Sequence, residues 1–258
     1  MILTVDIGNS TLMLGGFEKD ALTFVGSMHA DPAKTADEYA IRFSQLLALH
    51  GIDKSEITGA IVASVVPPLN ATVKKAITLL FQTEPLFIGP GIKSGVGIRC
   101  DVPSSVGADL IAASCAAHFL YQSPALIVDI DTVTKMTLVD DKGSFVGTSI
   151  IPGILMGLDA LSEKTAQLPK ISLDLPPSVI GKNTQDCMRS GVLYGHASLI
   201  DGMIDRIQKE YPTPLLLLAT GSMASSVLTL CHHTMTYDEH LVLKGLYLIY
   251  QKNRPERH

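Results

Sequence analysis

An internal repeat in the sequence limits the folds that this chain can adopt. Ile2–Thr11 is an apolar strand pattern that reaches Asp6 and continues into a short polar turn, and Leu126–Thr134 repeats the pattern around Asp129. Each copy is followed by a second and a third strand pattern, separated by turns. Self-similarity of this kind is typical of a duplicated unit. The repeat therefore predicts two halves of similar size, each beginning with a β-hairpin.

Helical and strand patterns alternate after the hairpins in both halves. The predicted helices are Thr35–His50, Leu69–Phe81, Leu110–Tyr121, Leu155–Glu163, Thr184–Glu210 and His240–Gln251, and the predicted later strands are Ala60–Val66 and Leu215–Ala219. This alternation predicts α/β layers. The 258 residues suffice for two domains, and we place these at residues 1–122 and 123–258.

Composition narrows the choice of partners. Hydrophobic residues make up 47% of the chain and charged residues 17%, with a formal net charge of -5, which fits a globular enzyme or binding protein. This charge gives no electrostatic reason to expect a nucleic acid or a membrane surface as partner. The four cysteines are scattered without metal-binding or redox spacing, so we expect a reduced, cytoplasmic protein. Small molecules are the expected partners.

Both strand-end turns carry parts of a phosphate cradle. After Asp6 come Gly8, Asn9 and Ser10, which permit close backbone approach and offer short side chains that donate hydrogen bonds. Taken alone, this Gly-Asn turn is equally well explained as an ordinary connection between hairpin strands. The second turn, at residues 129–134, favours the functional interpretation, because two loops related by duplication can face each other across a cleft and clamp a polyphosphate.

The sequence resembles the type III pantothenate kinases, a branch of the sugar kinase, actin and Hsp70 superfamily, along essentially the whole chain. The shared motifs, in order, are Asp6–Ser10, Ser64–Pro68, Pro103–Asp109, Val128–Thr132, Pro152-Gly153, Gly181–Thr184, Ser190-Gly191 and Ala219–Gly221. The resemblance implies two duplicated ribonuclease-H-like domains of the actin-like ATPase superfamily with an interdomain cleft. It also implies ATP-dependent phosphorylation of pantothenate to 4'-phosphopantothenate, the first step of coenzyme A biosynthesis, by a homodimer.

The matched motifs imply a set of site residues and cofactors. Asp109 takes the role of the catalytic base, and Asp129 binds a monovalent cation, K⁺ or NH₄⁺. The implied ATP-binding residues are Asp6, Ile7, Gly8, Asn9, Ser10, Thr11, Leu12, Met13 and Thr132. The implied substrate-binding residues are Cys100, Gly107, Ala108, Asp109, Leu110 and Thr184. Mg²⁺ is expected with ATP, because phosphoryl transfer concentrates negative charge that a cation offsets.

The position of Asp109 agrees with the role of a base. It stands just ahead of the predicted helix Leu110–Tyr121, and the positive end of a helix dipole stabilises a carboxylate that can accept a hydroxyl proton. From the residues alone, a simple helix cap is the alternative interpretation.

Several positions depart from the family pattern, and they cluster on the implied site. Leu110 stands where the family has Arg, Asp131 and Ser222 stand where it has Gly, and Cys100 replaces an aromatic residue. Lys135 is also atypical, and the extended strand places it roughly 13 Å from Asp131. These departures leave two alternatives to a pantothenate kinase. One is a phosphotransferase or phosphohydrolase that acts on another small molecule. The other is a catalytically silent regulator that binds nucleotide or pantothenate.

Overall fold

Two mixed five-stranded sheets form the framework of the chain in a computed structural model, which describes residues 1–253. The strands are β1 Ile2–Ile7, β2 Thr11–Glu18, β3 Ala21–His29, β4 Gly59–Ser64, β5 Leu86–Phe87, β6 Ala125–Ile130, β7 Val133–Val139, β8 Phe145–Pro152, β9 Leu216–Thr220 and β10 Thr236–Tyr237. The helices are α1 Ala36–Leu49, α2 Pro67–Phe81, α3 Ala108–Ala116, α4 Ile154–Lys164, α5 Thr184–Glu210 and α6 Leu241–Lys252.

The two sheets share one topology. The first has the order β3-β2-β1-β4-β5 and the second has the order β8-β7-β6-β9-β10. In each, three antiparallel strands come first in the chain, and the fourth strand pairs in parallel with the first. The equivalent order of strands confirms the predicted duplication and the α/β class.

The chain divides into two compact units that are not both continuous in sequence. One unit comprises Met1–Phe119 together with the segment that begins at Leu241, and the other comprises Leu120–His240. The sequence-based division at residues 122 and 123 places α6 in the second half, whereas α6 packs in the first unit. The contact is close, because a Cβ atom on Gly245 of α6 would overlap the Ala112 carbonyl oxygen of α3.

Helix ends follow local rules that the sequence carries. Thr35 caps α1 in a capping box with Glu38, and Gly51 follows the helix with a φ of 70°. Helix α2 begins at Pro67, two residues before the predicted start, since proline is well suited to the first helical position. The predicted helix Leu110–Tyr121 is α3 followed by a π-helical turn, Ala117–Tyr121.

Each unit has its own apolar core. In the first unit, fully buried side chains of the sheet pack against α1 and α2, as Leu3, Val5, Phe43 and Ile77 illustrate. In the second unit, the core lies between the sheet and helices α4 and α5. None of the helices within residues 1–253 is both long and apolar enough to cross a membrane.

A buried polar contact joins α5 to the second sheet and makes stability depend on pH. His196 Nε2 and Thr134 Oγ1 are 2.8 Å apart. Desolvation lowers the pKa of His196 from its ordinary 6.5, so the folded protein holds this ring neutral. The contribution of neutral His196 to the free energy of unfolding is complete at pH values above the ordinary histidine pKa. This contribution is lost as the pH falls below that pKa, because the unfolded chain then binds a proton at this histidine more readily than the folded protein does.

We expect the thermal unfolding midpoint to fall between about pH 7.5 and about pH 5.5, and to fall less in His196→Gln than in the unmodified protein. Differential scanning calorimetry at both pH values measures the two slopes. His29→Gln, at an exposed histidine, is the control and should keep the full slope. Equal slopes in all three proteins would contradict the assignment to His196.

Candidate active site

The turn between β1 and β2 presents short polar side chains at the end of a buried strand. The Gly8 N–H donates to the Thr11 carbonyl oxygen at 3.0 Å, which closes the turn. A Cβ atom on Gly8 would lie 3.1 Å from that oxygen, so a larger residue would crowd the turn. Asn9 and Ser10 are exposed. The turn therefore combines the predicted hairpin geometry with accessible hydrogen-bonding groups.

The predicted ATP-binding residues of this turn differ in what they can offer a ligand. The side chains of Ile7 and Leu12 are fully buried in the first core. Any contact that these two residues make with ATP would use their backbone. Asp6 and Met13 are half-buried and directly opposite each other on β1 and β2, whereas Thr11 is exposed.

The equivalent turn of the second unit holds Asp131 and Thr132. The Ser222 hydroxyl donates to Asp131 Oδ1 at 2.7 Å. These are the two positions where the family has glycine, and they contact each other although they are far apart in the sequence. The two departures from the family pattern are therefore one pair, which could not be predicted because nothing local in the sequence brings residue 222 to this turn.

Two glycines of the shared motifs make room for the second turn. A Cβ atom on Gly153, at the start of α4, would overlap the carbonyl oxygens of Asp131 and Thr132. A Cβ atom on Gly221 would overlap the Ile130 carbonyl oxygen, and Gly221 also has a φ of 98°. Both glycines are therefore required by close backbone approach, which explains the Pro-Gly and Ala-Thr-Gly motifs in physical terms.

Asp129 and Lys135 form an ion pair across the β6 and β7 strands. Their Oδ2 and Nζ atoms are 2.7 Å apart, and the side chains are only 15% and 16% exposed. The two residues are directly opposite in the antiparallel register. Lys135, which an extended strand separates from Asp131, thus pairs with Asp129. The register of the hairpin is the signal that identifies Asp129 as its neighbour.

Asp109 is the second residue of α3 and is buried, with 8% of its surface exposed. Gly107 precedes the helix, and a Cβ atom there would overlap Asp109 Oδ1. The carboxylate is thus folded back against the backbone at the positive end of the helix dipole. Ala108 and Leu110 on either side are also buried.

Thr184 opens α5 and lines an open cavity of about 630 Å³ within the second unit. Lys182, Asn183 and Cys187 line the same cavity. Asn183 caps the helix, since its Oδ1 accepts from the Asp186 N–H at 2.9 Å. Cys100, the remaining predicted substrate residue, is half-buried in the irregular segment before α3.

The residues suit a magnesium ion that is bound mainly through nucleotide. Residues 1–253 contain no group of three or more His, Cys, Asp and Glu side chains that could hold a metal ion by themselves. Mg²⁺ in phosphoryl-transfer enzymes is held by one or two carboxylates together with phosphate oxygens and water. The half-buried Asp6 carboxylate at the strand end fits this donor set.

The duplicated sheets with polar turns at the ends of their first strands define an actin-like ATPase fold. Solved structures share it at low sequence identity. An activator of 2-hydroxyisocaproyl-CoA dehydratase from Clostridium difficile, with bound ADPNP, aligns over 100% of this chain and 99% of its own with a TM-score of 0.57 and 11% identity. A ROK hexokinase from Thermus thermophilus aligns over 97% and 98% with a TM-score of 0.51 and 10% identity.

The chain belongs to the type III pantothenate kinase family. The family model described as "Type III pantothenate kinase" matches residues 2–206. A type III pantothenate kinase of Geotalea daltonii is 37% identical over 98% of this chain and 99% of its own. One from Moorella thermoacetica is 39% identical over 98% and 100%. The resemblance and the fold class expected from the sequence are confirmed.

Proposed function

We propose that the chain transfers the γ-phosphoryl group of ATP to the terminal hydroxyl of pantothenate, which gives 4'-phosphopantothenate in the first step of coenzyme A biosynthesis. The observation that carries this proposal is the family match over residues 2–206, together with curated type III pantothenate kinases that align along nearly their full length. ATP and a divalent metal follow from membership of a kinase family.

Asp109 acts as the base in this reaction. Its carboxylate accepts the hydroxyl proton of pantothenate while the hydroxyl oxygen forms a bond to the γ-phosphorus, and the bond from that phosphorus to the bridging oxygen breaks to release ADP. Burial at the helix N-terminus and the fixed position against Gly107 support this role. Because the Asp109 carboxylate is already held in position, less entropy is lost when the transition state forms.

The two polar turns bind the ATP phosphates. In the first unit, Asp6–Met13 supplies backbone groups and the side chains of Asn9, Ser10 and Thr11, and in the second unit Thr132 adds a hydroxyl. Mg²⁺, when bound with ATP, neutralises charge that develops on the phosphoryl group. Pantothenate is bound by the remaining predicted site residues, Cys100, Gly107, Ala108, Leu110 and Thr184.

A homodimeric assembly, which the resemblance implies, and a cytoplasmic location, which follows from the scattered cysteines, stay predictions. The resemblance also implies a potassium or ammonium ion at Asp129, where the carboxylate already forms an ion pair with Lys135.

The decisive experiment measures ADP release by the purified protein with ATP, Mg²⁺ and either pantothenate or a panel of small alcohols and sugars. Release that requires pantothenate, with 4'-phosphopantothenate identified by mass spectrometry, is the expected result. Release with another acceptor instead would replace the substrate assignment, and nucleotide or pantothenate binding without turnover would indicate a silent binder. Asp109→Asn measured in parallel excludes a contaminating kinase.

The carboxylate at position 131 is expected to weaken ATP binding. A negative charge about 6 Å from a phosphate, at an effective dielectric constant near 20, opposes binding by on the order of 2 to 3 kcal/mol before screening. Because Asp131 is half-exposed, solvent reduces this figure. We expect Asp131→Gly to tighten the ATP dissociation constant by about tenfold, measured by isothermal titration calorimetry.

Two further variants separate charge from backbone effects. Asp131→Asn removes the charge without adding glycine flexibility, and it should retain most of the gain. Asp141→Asn removes the same charge from an exposed position in the β7 to β8 turn, and it should leave the dissociation constant unchanged. An unchanged or weakened affinity in both Asp131 variants would show that this carboxylate does not face the phosphates.

A further inference from the structure

The Asp129 carboxylate already has a positively charged partner. Asp129 Oδ2 lies 2.7 Å from Lys135 Nζ. On its other side, Asp129 Oδ1 lies against Gly221, where a Cβ atom would be only 2.7 Å away. One carboxylate oxygen is thus paired with the ammonium group, and the other lies close to Gly221. A free monovalent cation coordinated by this carboxylate would sit within a few ångströms of a like charge.

The ion pair is part of the hairpin and not an incidental surface contact. Asp129 and Lys135 are directly opposite in the register of β6 and β7, so the backbone fixes the separation of their Cβ atoms. Their 15% and 16% exposure contrasts with that of the paired Lys74 and Glu84 side chains, which are 54% and 64% exposed, respectively. A charge pair withdrawn from water requires both partners, because either alone would be an uncompensated charge.

A lysine ammonium is a compact, strongly hydrated point charge. It carries the same single positive charge as potassium or ammonium, but it is covalently attached and needs no recruitment from solution. The donor set at Asp129 therefore does not suit a separate monovalent ion.

We propose that the Lys135 ammonium group takes the place of a dissociable monovalent cation at Asp129, so that this chain works without potassium or ammonium. Lys135 acts as a positioning residue, since it holds the Asp129 carboxylate beside the turn that carries Asp131 and Thr132. The inference rests on the proposed function only in its kinetic part. The occupancy of Asp129 by Lys135 is independent of which acceptor is phosphorylated.

The test compares chloride salts of potassium, ammonium, sodium and tetramethylammonium at matched ionic strength. For the unmodified protein, we expect ADP release rates with pantothenate to agree within about twofold in all four salts. Lys135→Met should lose at least tenfold in rate in tetramethylammonium and recover in potassium or ammonium. Lys142→Met, at an exposed lysine of the same unit, should behave as the unmodified protein does.

A second readout does not depend on turnover. The thermal unfolding midpoint of the substrate-free unmodified protein should be the same in potassium and tetramethylammonium, whereas that of Lys135→Met should rise specifically in potassium. Lys135→Gln serves the same purpose if the methionine variant does not fold. A potassium-specific shift or a tenfold potassium activation in the unmodified protein would overturn the proposal. If pantothenate is not phosphorylated in any salt, the proposed function fails, while the unfolding data still decide the role of Lys135.

Discussion

Replacing Asp109 by Asn is expected to lower the turnover number by roughly 100-fold or more, which is the usual range for loss of a positioned general base. The amide keeps the shape of the side chain but cannot accept the hydroxyl proton. Because the variant retains the packing at the start of α3, the unfolding midpoint and the dissociation constant for ATP should change little. Steady-state kinetics, calorimetric unfolding and titration with ATP measure the three quantities.

Asp37→Asn is the matched control. Asp37 is the second residue of α1, as Asp109 is the second residue of α3, but its side chain is exposed and it is not one of the predicted site residues. The control removes the same favourable interaction of a carboxylate with a helix dipole, which amounts to about 0.3 to 1 kcal/mol of stability. Equal turnover in Asp109→Asn and Asp37→Asn would reduce Asp109 to a helix-capping role.

The second large effect is expected at Gly221. An alanine there would place a Cβ atom against the Ile130 carbonyl oxygen, and it would also have to adopt a φ of 98°. Backbone strain of this kind costs about 1 to 3 kcal/mol before the overlap is counted. We expect Gly221→Ala to destabilise the protein by several kcal/mol and to weaken ATP binding, because the clash displaces the end of β6 that leads into Asp131 and Thr132.

Gly147→Ala tests whether this effect is specific. Gly147 lies in β8 of the same unit, and a Cβ atom there would meet nothing within 4 Å. Chemical denaturation should give a change of less than about 1 kcal/mol for Gly147→Ala. A comparable loss in the two variants would mean that neither the overlap with the Ile130 carbonyl oxygen nor the positive φ makes glycine necessary at position 221.

Local signals predicted the elements that carry the site. Helix α5 has its predicted bounds, Thr184–Glu210, because Asn183 caps it and no proline interrupts it. The two hairpins were identified from their repeated strand patterns, and the shared topology of the sheets confirms the duplication. These features depend on neighbours in sequence, where propensity and periodicity are informative.

Features that depend on distant residues could not be predicted in the same way. The apolar face of α6 indicates that the helix is buried, but not that Gly245 meets Ala112. The contact of Ser222 with Asp131 requires the end of β9 to be placed beside the β6 to β7 turn. Residue chemistry suggested a polar site at both turns, whereas the partner of each charge followed only from the folded chain.

The return of α6 to the first unit has a consequence for synthesis on the ribosome. Residues 120–240 form a continuous unit whose entire sequence is available before α6 has been translated. The first unit is started earlier but finished later, because α3 lacks its Gly245 contact until Leu241–Lys252 emerges. Packing of the helix that carries Asp109 is thereby coupled to the translation of α6, and a nascent chain that stops before Leu241 has not yet formed the contact between α3 and α6.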